Sequence, residues 1–243
     1  MTVALLLTFS SGVVDIVGFL GIFRLFTAHV TGTTEHLGQS IVFGKGNEVI
    51  AASVVVSAFF LGSVFGRALV EAGGRRRFRR IASVTLTIEA AMLVAVVAAK
   101  IAAGGPTAQS STYIYLAILA AAMGVQTATL TRVGPLTVHT TFVTGMINKL
   151  AQLVSRILFR AYDFLLGRAT LEKRAEQRSE SRHAIFIFSI WVCYVLGAIG
   201  GTEAYLKWGI QALFVAVAGL TVGIVTDAFA PLSVAEEREQ SER

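Results

Sequence analysis

Long apolar stretches separated by short polar segments dominate this chain of 243 residues. Four stretches carry no charged residue, and two more carry a single carboxylate each, Glu89 and Asp15. A helix that crosses the hydrocarbon core of a bilayer needs about 20 mostly apolar residues. The pattern therefore predicts six transmembrane helices, which lie within residues 1–23, 49–66, 81–99, 113–130, 184–202 and 208–226.

The composition also indicates a membrane protein. Hydrophobic residues make up 54% of the chain and charged residues only 15%, whereas soluble domains carry about 25% charged residues. The first apolar stretch has no basic segment before it, so we expect a retained span and not a secretory signal. The single cysteine, Cys193, lies inside the fifth stretch and cannot form an intrachain disulfide.

Two basic clusters lie beside apolar stretches in a chain of net charge +6. One covers residues 75–80, and the other is a run of bases from Arg156 to Arg182. Cytoplasmic loops collect Lys and Arg, so topology explains these clusters better than nucleic-acid binding does. This orientation predicts a multi-pass protein of the cell (inner) membrane with both termini in the cytoplasm.

A Val-Thr-Gly segment occurs twice, at residues 30–32 and 143–145. Two further pairs of segments resemble each other, namely Gly12-Val13 with Gly124-Val125, and Leu61-Gly62 with Leu196-Gly197. Because each copy contains three spans, the second copy must be inverted relative to the first, as in many secondary transporters. We predict an all-α integral membrane protein with repeat one at about 1–104, repeat two at about 112–230, and a charged tail at 231–243.

The two Thr-Gly pairs are the first candidate binding residues, Thr31 and Gly32 in one repeat and Thr144 and Gly145 in the other. One interpretation is a broken or re-entrant helix, in which threonine caps a half-helix whose free N–H groups face a solute or ion. The alternative is a capped helix start in an ordinary loop, because irregular backbone at membrane depth needs a protein or water lining.

Polar residues within the apolar stretches are the next candidates. Asp15 and Glu89 each cost at least about 2.5–3.5 kcal/mol at the bilayer centre, so they are expected to face a cavity or a partner. Either can carry a coupling proton, or can be a hydrogen-bonded acid that fixes helix packing. Gln126 and Thr127 occupy the place of Asp15 in the second copy, which makes the two halves chemically asymmetric.

Histidines form a secondary group of candidates. His29 and His139 lie next to the Thr-Gly segments, and Glu35 and His36 are adjacent in the sequence. Their spacing fits no zinc signature, so we expect a polar lining and no metal. No motif of a hydrolase, a metalloprotease or a nucleotide-binding loop occurs, and we predict neither an enzyme nor a cofactor.

Glycines spaced four residues apart predict helix packing. Gly62 and Gly66 share one face of the second span, and Gly197 and Gly201 share one face of the fifth. Such faces let two helix backbones approach closely. We expect them to bring spans two and five together, with homodimerisation as the alternative. Residues 147–165 alternate with the period of an amphipathic helix, which favours a helix in the cytoplasmic headgroup layer or a partly buried connector.

The order of these motifs resembles the YoaK-like family of multi-spanning membrane proteins. The resemblance rests on Gly12-Val-Val-Asp15, on Gly124-Val-Gln126 and on Thr140-Thr-Phe-Val-Thr-Gly145, and it covers nearly the whole chain. The chain departs from the family pattern at Thr33 and Thr127, where a side-chain amide is missing. The resemblance implies a multi-pass membrane fold and no particular substrate.

The function that these patterns favour is a small secondary transporter or permease for a small polar or anionic solute, coupled to protons through Asp15. Its expected partners are the lipid bilayer and an unidentified solute or ion. The alternatives are a passive channel, and a scaffold or assembly protein that transports nothing. A channel should tolerate Asp15→Asn, whereas a scaffold should lack a polar cavity between the two Thr-Gly segments.

Overall fold

The computed structural model of the chain describes residues 2–22, 24–76, 80–104, 109–129, 132–133, 136–137, 143–166 and 171–229. These residues form eight α-helices, a 3-10 turn at Gly209–Ala212 and a small antiparallel pair of two-residue strands, β1 (Arg132–Val133) and β2 (Leu136–Thr137). The helices are α1 (Thr2–Gly21), α2 (Val30–Val42), α3 (Gly46–Arg75), α4 (Ile81–Ala103), α5 (Gln109–Thr129), α6 (Val143–Leu165), α7 (Leu171–Trp208) and α8 (Leu213–Phe229).

Five helical stretches are long and apolar enough to cross a membrane, where the sequence predicts six. The first four fall in α1, α3, α4 and α5, and the fifth extends over 50 residues from Glu180 to Phe229. This last stretch is interrupted at Gly209, whose backbone has φ of +58°, a conformation that favours glycine. It therefore contains two helices, α7 and α8.

The two helices of the last stretch run in opposite directions against α1. Gly197 of α7 lies beside Phe9 and Gly201 beside Val13, so α7 and α1 are parallel. In α8, Gly219 lies beside Ser10 whereas Gly223 lies beside Val3 and Leu7, so α8 and α1 are antiparallel. The chain therefore reverses direction at the 3-10 turn between α7 and α8.

Glycine-mediated backbone contact holds two pairs of parallel helices together. Gly12 of α1 faces the backbone of Tyr194 and Ala198 in α7. In the same way, Gly124 of α5 faces the backbone of Phe59 and Ser63 in α3. A Cβ atom at either glycine would collide with the neighbouring backbone. The expectation that the glycines bring spans two and five together is wrong, because α3 packs on α5 while α7 packs on α1.

The glycines that the sequence pairs in spans two and five take part in these contacts. Gly62 lies on the backbone of Ala121, and Gly66 lies on Val125, both in α5. Gly197 and Gly201 lie on α1. Small residues are therefore required on both helices of each pair, since van der Waals contact and not the hydrophobic effect drives helix association within lipid.

The remaining helices pack around these pairs. α4 contacts α8, α5 and α3, and α8 also packs along α1. The helices α2 and α6 each form a hairpin with the helix that follows them, α2 with α3 and α6 with α7. Gly44, with φ of +66°, allows the tight turn between α2 and α3. α6 packs on α7 and exposes apolar side chains on its other side, among them Leu158, Phe159 and Tyr162.

Candidate functional site: a buried polar network joining α1, α2 and α7

Asp15 holds the segment that leads into α2. It is 1% exposed, and its Oδ1 accepts hydrogen bonds from the Thr27 backbone N–H (2.9 Å), the Thr27 hydroxyl (2.9 Å) and the Ala28 backbone N–H (2.7 Å). Since Asp15 lies six residues before the end of α1, and a helix rises 1.5 Å per residue, the connection returns about 9 Å along α1. The segment before α2 is thus folded back beside α1.

The second carboxylate oxygen of Asp15 reaches α7. The Tyr194 hydroxyl donates to Oδ2 at 2.8 Å, and His29 Nε2 lies 2.7 Å from the same hydroxyl and 3.5 Å from Oδ2. Because Tyr194 has one proton to donate and gives it to Asp15, His29 must donate from Nε2 to the tyrosine oxygen. A chain of hydrogen bonds therefore leads from a fully buried carboxyl to a histidine that is 34% exposed.

This arrangement compensates the charge of Asp15 with oriented dipoles. A buried carboxylate without partners is very costly, whereas hydrogen bonds to an ionised acceptor are shorter and stronger than neutral ones. Two of the donors are backbone N–H groups immediately before α2, whose N-terminal end favours negative charge. We interpret Asp15 as an anchor that fixes the segment before α2 and joins it to α7.

Aromatic rings surround the exposed end of the network. Phe19 stacks on Phe26 with ring centroids 4.5 Å apart, and Phe26 meets the edge of His29 at 5.2 Å. The His29 ring also meets the Tyr194 ring at 5.7 Å. These contacts restrict the rotamers of His29, so that its Nε2 stays directed at the tyrosine hydroxyl.

Gln126 forms a second buried polar contact, in the middle of α1. Its Nε2 donates to the Leu7 carbonyl at 2.8 Å, and its Oε1 accepts from the Ser11 hydroxyl at 3.1 Å. The amide orientation follows from these partners. On the neighbouring face of α1, the Ser10 hydroxyl donates to the Ala216 carbonyl of α8 at 3.3 Å. α1 is thus bonded through side chains to α5 and α8.

Glu89 differs from the other buried acids. Its side chain in α4 is completely buried, and neither carboxyl oxygen has a hydrogen-bond partner within the described part of the chain. A buried polar atom without a partner is rare in folded proteins and calls for an explanation.

The Thr-Gly pairs lie inside helices and not at their caps. His29 is the N-cap residue of α2 and makes no side-chain capping bond, and α6 begins at Val143. The hypothesis of a threonine cap at Thr31 is therefore wrong, and Thr144 likewise lies in the first turn of its helix. Thr31, Gly32 and Thr144 are exposed and Gly145 is half-buried, on two separate hairpins. His139 lies outside the described residues.

Two polar residues of this framework were not among the sequence candidates. Tyr194 was missed because a tyrosine in an apolar span is a common residue, and its partner Asp15 is 179 positions away. Asp227 was missed because it lies at the end of the last apolar stretch. It is fully buried and accepts hydrogen bonds from the Ser83 hydroxyl (2.5 Å) and backbone N–H (3.0 Å), which join α8 to α4.

The fold and the buried network define the class of the protein, an α-helical multi-pass membrane protein with hydrogen-bonded acids between its helices. The chain belongs to the family described as "Protein of unknown function (DUF1275)", which it matches over residues 3–226. It is also similar to the UPF0700 transmembrane protein YoaK of Bacillus subtilis (strain 168), with 25% identity over 160 residues, 65% of this chain and 68% of that protein. These matches confirm the YoaK-like resemblance. No solved structure matches the chain.

Proposed function

We propose that the protein is a small secondary transporter or permease for a small polar or anionic solute, built from six transmembrane helices in two inverted repeats. The observation that carries this proposal is the pattern of helix pairs. Exchanging α1, α2, α3 and α4 with α5, α6, α7 and α8 leaves the main pairs unchanged. The pair α1–α7 becomes α5–α3, α2–α3 becomes α6–α7, α1–α8 becomes α5–α4, and α4–α8 becomes itself.

The directions of the helices agree with this exchange. α3 is parallel to α5, since Asn47 lies by Tyr113 and Gly66 by Val125. α4 is antiparallel to α8, since Ser83 bonds Asp227 and Leu86 lies by Gly223. Together with the pairs of α1, these contacts give six apolar helices of alternating direction. Two repeats of three spans related in this way have opposite orientations, which is the architecture of many secondary transporters.

The glycine contacts support the same relation at the level of single residues. Gly12 and Gly124 correspond in the two repeats, as do Gly197 and Gly62. Gly12 packs beside Gly197, and Gly124 packs beside Gly62. The repeat thus preserves an interface between its own elements, which supports a common origin of the two halves over chance similarity of small residues.

The folded-back segment leads directly to the exposed end of α2, where a solute could bind. The connection that Asp15 holds is irregular backbone beside a span, and such backbone at membrane depth is found where it lines a cavity or is covered by protein. Thr31 and Gly32 follow it directly and are exposed. We propose that this end of the first repeat receives the solute, on the outer side of the cell membrane with both termini in the cytoplasm, and that no enzymatic reaction is involved.

Uptake into proteoliposomes tests the proposal. The purified protein would be reconstituted and supplied with chloride, nitrate, formate, acetate, phosphate or sulfate, each with and without an inward proton gradient. We expect saturable uptake of at least one anion above the level of protein-free liposomes, with accumulation that depends on the gradient. Flux that never saturates would favour the channel, and flux equal to protein-free liposomes for every anion would favour the scaffold.

A further inference from the structure

Three carboxyl groups are buried among the described residues of the apolar helices, and only one of them has no hydrogen-bond partner. Asp15 accepts from the segment before α2 and from Tyr194. Asp227 accepts from Ser83 of α4. Glu89 is as completely buried as Asp227, yet both its oxygens are unsatisfied within the described chain. The first two acids have a structural explanation, and Glu89 does not.

Glu89 lies deep in the bundle, on the face of α4 that is turned to the core. Leu86 and Leu93, one turn to either side, are completely buried. Leu86 lies 3.4 Å from the position that a Cβ atom of Gly223 would occupy. Because α4 and α8 are antiparallel, the register brings Glu89 level with Gly219, one turn from Gly223. Gly219 in turn adjoins Ser10, at the middle of α1.

No cation among the described residues is close to Glu89 in this register. The helices and the turn packed against α4 are α8, α5, α3 and Gly209–Ala212. α8 carries only Asp227, and neither α5 nor the turn carries a charged residue. The charges of α3 are Glu48 near its start and Arg67, Glu71 and Arg75 near its end. On α4 itself, Arg80 at the N-cap lies about 14 Å from Glu89 along the helix, and Lys100 lies about 16 Å away in the other direction, above the Tyr115 ring.

We propose that Glu89 is the proton-binding carboxyl of this protein, in place of Asp15. A proton is the ligand that such a site accepts without further side chains, since sodium requires several oxygen atoms and a carboxylate requires a counter-ion. Binding and release of the proton at this depth, beside the contact of α4 with α8, would couple proton movement to transport. This coupling role rests on the proposed function, whereas proton binding at Glu89 does not.

Carbodiimide labelling tests the site directly and independently of transport. N,N′-dicyclohexylcarbodiimide enters membranes and reacts with a protonated carboxyl group. The O–H of the carboxyl adds across one C=N bond of the reagent. The full-length protein in lipid vesicles would be treated at a series of pH values, and the adduct would be located by peptide mass spectrometry. We expect labelling at Glu89 in roughly tenfold excess over Asp15 and Asp227, decreasing as the pH rises.

The controls separate proton binding from simple burial. Glu89→Gln should abolish the main adduct, and Glu203→Gln, at an exposed glutamate of α7, should leave it unchanged. Mapping the adduct in the wild-type protein keeps the test valid if Glu89→Gln does not fold.

Three outcomes would overturn the proposal: equal labelling of the three acids, no label at Glu89, or labelling that does not change with pH. Loss of labelling on adding sodium at constant pH would overturn it in favour of a sodium site. Labelling at Glu89 without solute uptake would leave the proton site intact and remove the transporter.

Discussion

The two halves of the molecule share their helix packing but differ in the chemistry of one corner. In the first half, Asp15, His29 and Tyr194 form a hydrogen-bonded chain between α1, the start of α2 and α7. The positions that correspond to them through the sequence repeat are Thr127, Phe142 and Phe59. Glycine contacts are thus repeated, whereas the acid, the imidazole and the phenol are not. This difference indicates that the glycines maintain the scaffold, and under the proposed inverted arrangement the polar chain would serve one side of the membrane only.

In the proposed arrangement the two halves have opposite orientations in the membrane. Surface labelling of the two helical hairpins tests this with an all-or-none result. In a Cys193→Ser background, single cysteines would be placed at Lys45 and at Leu166, the exposed tips of the two helical hairpins. We expect a membrane-impermeant maleimide to label the Lys45 position in intact cells and the Leu166 position only after permeabilisation. The background protein should stay unlabelled. Labelling of both tips from the same side would break the inverted relation.

Leucine at the paired glycines should have the next largest effect, and the same effect in both halves. Gly197→Leu and Gly62→Leu each place a side chain into neighbouring backbone, and overpacking of this kind costs about 1–3 kcal/mol or more. We expect both variants to lose the monodisperse folded protein in detergent. Gly74→Leu is the matched control, because nothing lies near the Cβ position there. Tolerance of leucine at one site only would show that the two interfaces are not equivalent.

Asp15→Asn should destabilise the protein strongly, because it disrupts several hydrogen bonds at once. The asparagine amide turns one acceptor into a donor, which then faces either the N–H groups of Thr27 and Ala28 or the Tyr194 hydroxyl. Hydrogen bonds to charged groups contribute about 1.5–3 kcal/mol each. We expect a decrease in the free energy of unfolding of about 2–4 kcal/mol, measured by thermal unfolding in detergent. Glu203→Gln on α7, at a side chain that is 67% exposed, is the control, and an equal loss there would argue against a special role of Asp15.

The sequence predicted the helices of this fold well and their partners poorly. Apolar length is a local property, so the stretches around Asp15 and Glu89 were sufficient to predict α1 and α4. Which helices meet depends on contacts between distant residues, such as Gly12 with Tyr194, and no local pattern contains that information. For the same reason the sequence identified Asp15 as polar and buried, but not its partners. The Thr31 cap failed because α2 already begins at Val30, and the Thr33 N–H bonds to the His29 carbonyl.

The smallest predicted effect concerns the hydroxyl that distinguishes the two halves. Tyr194→Phe removes the bond to Asp15 Oδ2 and leaves the ring packing in place, at a cost of about 1–2 kcal/mol. The reciprocal change, Phe59→Tyr, adds a hydroxyl at the corresponding position of α3, which is only partly buried, and should change stability by less than about 0.5 kcal/mol. Both values would be measured as shifts of the thermal unfolding midpoint.

If His29 and Tyr194 serve only to support Asp15, then His29→Gln combined with Tyr194→Phe should cost no more than Tyr194→Phe alone, because the imidazole acts through the phenol. An additive loss would mean that His29 contacts the carboxylate independently, and the chain of bonds would then be a three-way cluster and not a relay to the surface.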